Sequence, residues 1–135
     1  MQNKKVTVQM ETVQRVGDQR EKQTVTAPGS FFQKDGSSHL IYEEENGLKT
    51  HIRISDDLVH IHRFGELSGD LWFVEGEQRD TRYETPYGRM MLTVDTEKLR
   101  WDQRLMKLYL RYRILAEDEP VSKNEITINI KEVEE

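Results

Sequence analysis

The chain has 135 residues, 25 of them acidic and 20 basic, for a net charge of −5, and it contains no cysteine. That length suits one domain, predicted over residues 1–135, around a single core. The acidic balance argues against nucleic acid or a membrane surface as partner, and the missing thiols exclude disulfides, thiolate metal sites and cysteine nucleophiles.

Leu, Ile, Val and Phe make up about a quarter of the chain, enough for a folded core. The opening stretch alternates apolar and polar residues where a signal peptide would run apolar, and no long apolar run follows. A cytoplasmic protein is the expectation.

Taken in chain order, the apolar residues recur with a period of two. Val6, Val8 and Met10 alternate with polar neighbours, then Ile52 and Ile54, then Leu108, Leu110, Tyr112 and Ile114, and finally Ile126, Ile128 and Ile130. Such alternation buries one face of a strand and leaves the other in water. Turn-forming clusters separate the runs: residues 17–19, 27–30 (APGS), 34–38, 45–47 (ENG), 55–57, 66–70, 75–78 and 118–120. Asn46 and Gly47 mark the clearest hairpin. Residues 95–107 fit either two helical turns or a strand with a bulge, and the strand that follows favours the latter.

The predicted fold is therefore all-β, with about eight to ten antiparallel strands. So many sequential strands hide their edges by closing into an up-and-down barrel, the preferred reading, or by packing as a sandwich. A small barrel fills its lumen with side chains or holds one small ligand there.

The segment LVHIHRFGE (58–66) tests the functional options. Two histidines one residue apart share a strand face, and with His51 on the preceding strand they could begin a metal site. If Val59 and Ile61 face the core, however, His60, His62 and His51 all point outward. A solvent-facing cluster lacks the dry surroundings of a catalytic metal, so the expectation is wall residues, with no metal and no cofactor. The same phase turns Arg63 inward. There it needs a carboxylate, a carbonyl or an anion as partner, with Glu44 a candidate, unless it reaches water at the rim.

Further along, Tyr83 and Thr85 share a face, and Pro86 and Gly88 bracket a tight reversal through Tyr87. Lys107, Tyr109, Arg111 and Arg113 interleave cations with an aromatic ring, but the acidic total makes a solvated face the better account. No phosphate loop, nucleophile elbow or other catalytic constellation is present.

The ordered set YEEENG, HIRISDDLVHIHRFGE, LWFVEG, YETPYG, LTVDT and SKNEITINI resembles the YwiB-like family of uncharacterised bacterial proteins, over about residues 3 to 132. Its most specific part is Arg63 with Gly65, then Thr85, Pro86, Tyr87 and Gly88, then Thr96. The resemblance implies a lipocalin-like (calycin-type) barrel, a cytosolic bacterial source of the Gram-positive kind and no established activity. His60 and His62 lie outside that pattern.

The leading expectation is a non-enzymatic barrel holding a small anionic or amphiphilic ligand, such as an acyl group, lined by Arg63, Glu44, Tyr83, Thr85 and Tyr87. One alternative is a filled barrel acting through its outer surface as an interaction module or homodimer, on the outward phase of Trp72 and Tyr109. Another is a metal-dependent enzyme using His51, His60 and His62.

Overall fold

The computed structural model describes residues 3–44, 47–65 and 68–133, with the Thr85 side chain also outside the described set. Among the described residues it contains ten strands and no helix. They are β1 (Lys4–Val16), β2 (Gln19–Lys34), β3 (Ser37–Glu43), β4 (Lys49–Ile54), β5 (Val59–Phe64), β6 (Ser68–Phe73), β7 (Gln78–Thr85), β8 (Gly88–Asp102), β9 (Lys107–Ala116) and β10 (Glu119–Glu132). Each pairs antiparallel with its sequence neighbour, and β1 also pairs with β10, so the sheet closes into a barrel. Closure removes the edges that the sequence of alternating strands could not leave open.

Of residues 95–107, the stretch to Asp102 is a strand with an irregularity between Thr96 and Lys98, as preferred, while residues 103–106 form a turn, with Met106 at positive φ, that leads into β9. The APGS segment differs from expectation. Residues 27–30 lie inside β2, paired with β1 from Ala27↔Val8 to Ser30↔Lys5. Pro28 sits just before the pairing with β3 begins at Gly29↔Tyr42, where a missing N–H costs little. A Cβ on Gly29 would stand 2.7 Å from the Ile41 carbonyl oxygen and 3.2 Å from Tyr42 Cβ. Glycine here allows two backbones to approach, and does not reverse the chain. Likewise Ser68, Gly69 and Asp70 belong to β6. At the β3–β4 turn Gly47 has the expected positive φ, while the expectation for Asn46 lies outside the described residues.

The lumen has two parts. Toward the end where the even-numbered strands finish it is packed with Val6, Phe31, Leu40, Ile54, Val59, Phe73, Leu108 and Ile128, all almost fully buried. Each such side chain contributes roughly 1.5–3 kcal/mol on leaving water. Toward the end where the odd-numbered strands finish, the inward positions turn polar: Thr50, Ser122 and Asn124 are buried there, with Thr96 deeper in the barrel. The phase of β5 is as predicted, with Val59 and Ile61 in the core.

One seam is loosely laced. β6 and β7 pair at Ser68↔Glu84 and Gly69↔Tyr83. Farther along, the Thr81 hydroxyl donates to the Asp70 carbonyl.

Candidate functional site

Arg63 is the second-last residue of β5, inward by alternation and close to the polar end of the barrel. Its neighbours follow from register: Thr50 on β4 and Gly69 on β6 stand directly opposite, and Tyr83 on β7 stands opposite Gly69. Gly69 has no side chain, so the Tyr83 ring lies over it. A Cβ there would come within 2.6 Å of Tyr83 Cε1. The glycine thus lets a phenol lean across a strand toward Arg63.

Two more phenols complete the surroundings. Tyr42 is buried and donates to Met10 Sδ at 3.9 Å. Tyr112 is buried with its ring edge-on to Phe73, centroids 4.8 Å apart, where the polar and apolar parts of the lumen meet. Burial pushes both phenols up to about 12, with the Arg63 charge pulling the other way. Burial works against the Arg63 charge too, but Tyr83, Tyr42, Tyr112 and then Glu44 outweigh it and hold the guanidinium above its usual value. It is a permanent cation.

Polar groups here are under-partnered. Arg63 Nε, Tyr83 Oη, Thr50 Oγ1 and Thr96 Oγ1 are buried without a hydrogen-bond partner. Thr50 and Thr96 are almost completely shielded from solvent. The ion pairs among the described residues, such as Lys4 with Glu132 and Arg113 with Asp95, leave Arg63 out. A fifth such atom, Arg111 Nε, lies 3.2 Å from Glu97 Oε2 in an ion pair. Buried polar atoms are partnered in the great majority of folded proteins, so the other four require a reason.

Of the five residues expected to line a pocket, Arg63 and Tyr83 come together. Glu44, half-buried just after β3, acts on Arg63 through its charge alone and makes no ion pair with it among the described residues. Tyr87 does not join them: at the tip of the β7–β8 hairpin it is 99% exposed, because the turn at Pro86 and Tyr87 projects past the rim. Thr85 pairs with Gly88 through its backbone, and its side chain lies outside the described residues. Sequence reading missed Tyr42, Tyr112 and Thr50 as site residues, because their alternation marks them as core and nothing in it marks their polar atoms as neighbours of Arg63.

The outer wall carries a second constellation. All four histidines of the chain lie on the outer faces of β3, β4 and β5. His39 Nδ1 and His51 Nε2 are 3.0 Å apart, and Phe32 stacks on His39 at 4.8 Å. Burial first, then neighbouring positive charge, lowers both imidazoles below their ordinary 6.5. His60 Nε2 and His62 Nδ1 both reach Asp70 Oδ1, at 2.6 and 2.8 Å. Burial opposes the Asp70 charge, yet these two contacts hold the carboxyl below its ordinary value. His51 was expected as the third member of a histidine cluster. Although it stands opposite His62, its ring engages His39, and the third group is Asp70 from the far side, on β6. Trp72 lies flat on His60 at 3.8 Å, so its outward phase leaves it half-covered. Tyr109 is likewise half-buried.

A closed ten-stranded antiparallel barrel with one packed end and one polar end defines the class of this protein. Residues 8–128 match the family described as Domain of unknown function (DUF1934), and the chain belongs to that family. The fold is similar to that in the crystal structure of ywiB protein from Bacillus subtilis, with a TM-score of 0.88 and 20% identity over 99% of this chain and 95% of that one. No curated protein matches.

Proposed function

We propose that this chain is a non-enzymatic binding protein whose polar barrel end takes a small ligand through an anionic group placed at Arg63. One observation carries the reading: a largely buried guanidinium has phenols and hydroxyls around it and no ion-paired carboxylate among the described residues. An unpaired buried charge costs several kcal/mol, and an anion removes that cost while satisfying the Tyr83 and Thr50 hydroxyls.

The packed end narrows the ligand class. An acyl chain would have to displace Phe73, Leu40 and Ile61, which are almost fully buried. A compact anion beside Arg63 leaves those apolar side chains in place, so a phosphate- or carboxylate-bearing polar molecule fits better than a long amphiphile. The interaction-module alternative loses its motive where His60 covers Trp72.

The test is thermal unfolding of the untagged protein with inorganic phosphate, pyrophosphate, acetate and hexanoate, alongside native mass spectrometry. A ligand at a hundred times its Kd adds about 2.7 kcal/mol. For a chain of this length that raises the unfolding midpoint by about 9 °C. A compact anion should give such a rise in the wild type and none in Arg63→Met. Equal rises in both proteins, or none in either, would refute the reading.

A further inference from the structure

We infer that the outer wall of the barrel holds a divalent first-row metal ion, zinc being the probe of choice, between His60 Nε2, His62 Nδ1 and one carboxylate oxygen of Asp70. This site is independent of the anion site, since it stands on the opposite face of β5. Three ligand atoms, two imidazole nitrogens and a carboxylate oxygen, lie within 4.8 Å of one another. That donor set suits zinc, nickel and iron(II), and three protein ligands leave positions open for water.

The arrangement is built by the fold. His60 and His62 are two residues apart on one strand and so share a face, while Asp70 is held opposite His62 by the β5–β6 register. Trp72 stacks on His60 with an interplanar angle of 3°, which fixes the plane of that ring. Phe64 flanks His62, centroids 5.3 Å apart. Asp70 is further anchored through its backbone carbonyl, which accepts from Thr81. Supported ligands of this kind lose less freedom on binding than three loose surface side chains.

Both ring nitrogens now aim at a single oxygen, at 2.6 and 2.8 Å. A metal ion takes the place of the hydrogen-bonding protons between them, and the half-exposed Asp70 side chain withdraws to make room. Each imidazole then binds through the nitrogen that faces Asp70 and keeps its proton on the other. Arg53, opposite His60 on β4, adds a positive charge nearby. One carboxylate therefore leaves a modest affinity, which suits an exchangeable ion.

Isothermal titration of the untagged protein with zinc chloride at about pH 7.5 tests the site. One saturable equivalent is expected, weakened at least roughly tenfold in His62→Ala and in Asp70→Asn. His39→Ala should bind as the wild type does. Because Trp72 touches His60, nickel should quench its emission in a Trp101→Phe background, and His62→Ala should abolish that quenching. His62 and Asp70 are partly exposed, so their replacement leaves the core intact, which far-ultraviolet circular dichroism verifies. No saturable zinc binding, undiminished binding in both triad variants, or a loss in His39→Ala equal to that in His62→Ala would overturn the proposal.

Discussion

Arg63→Met should make the ligand-free protein more stable. The guanidinium lies inside the barrel wall with Nε unpartnered, next to Tyr83 and Thr50, whose hydroxyls are also unpartnered. Methionine retains an unbranched stem of similar length, so the packing against Gly69 and the phenols survives while the charge is removed. Replacing fully buried ionic groups with apolar ones of similar volume yields up to about 1–4 kcal/mol. Arg63 stands one residue from the end of β5 and keeps some solvent contact, which places the expected gain in the lower half of that range, about 1–2 kcal/mol. In a chain of 135 residues this corresponds to a midpoint rise of roughly 3–7 °C. Differential scanning calorimetry in an uncharged buffer, or in one whose anion is too large for the barrel, measures it directly. A companion Tyr83→Phe should change stability by less than about 1 kcal/mol, since it deletes an unpartnered hydroxyl. A loss of more than about 2 kcal/mol in Arg63→Met would mean that the guanidinium holds the phenols in place as a structural bolt, and the reasoning toward a ligand would fail.

Two glycine positions separate rigid from yielding neighbours. Gly29→Ala forces a Cβ against the Ile41 carbonyl at 2.7 Å, where only backbone can move, and should cost about 2–3 kcal/mol in chemical denaturation. Gly69→Ala meets the Tyr83 ring, a side chain that can swing away, so it should cost only about 1 kcal/mol yet weaken anion-dependent stabilisation, because Tyr83 leaves Arg63. Acid should destabilise the protein in two windows. His39 and His51 titrate below 6.5 when folded, so the unfolded chain takes up their protons first; stability is complete above about pH 6.5 and falls as the pH drops through their folded-state values. His51→Gln should flatten that first window in thermal melts. Asp70 adds the second: its contribution is present above its ordinary 3.8 and is lost below it, a step that Asp70→Asn should remove.

The alternation of apolar residues was sufficient for the class of fold, because a period of two has one solution per strand face: Ile52, Ile54, Val59 and Ile61 are buried where it puts them. Phase also carried the inward turn of Arg63 and the outward turn of the histidines. Composition misled where one residue type serves two purposes. Proline and glycine at 28 and 29 read as a reversal, although Gly29 is there for close approach and Pro28 is paired with β1 just before the pairing with β3 begins. The partners of Arg63 were hidden for a different reason. Tyr42, Tyr112 and Thr50 reach it through strand register and barrel closure, which no local pattern encodes, and they carry both an apolar body that satisfies the alternation and a polar atom that does not.

That double character is what separates a site from a core. A barrel selected for stability alone would fill the position opposite Thr50 and Gly69 with a residue such as the Ile61 two places earlier on the same strand. It carries instead a permanent cation that has no ion-paired carboxylate among the described residues. The local rules of packing and polar satisfaction hold along the packed half of the lumen and fail together around Arg63 Nε, Tyr83 Oη and Thr50 Oγ1. Such concentrated failure is what binding sites impose on otherwise consistent sequences. The outer wall shows the reverse arrangement, since His60 Nε2 and His62 Nδ1 both find a partner in Asp70 Oδ1 without an ion. On the two readings proposed above, the inner site gains stability from its ligand, whereas the outer one exchanges hydrogen bonds for metal bonds. Ligand-induced stabilisation should accordingly be larger for the anion at Arg63 than for zinc at equal saturation, a contrast that thermal unfolding with each probe resolves.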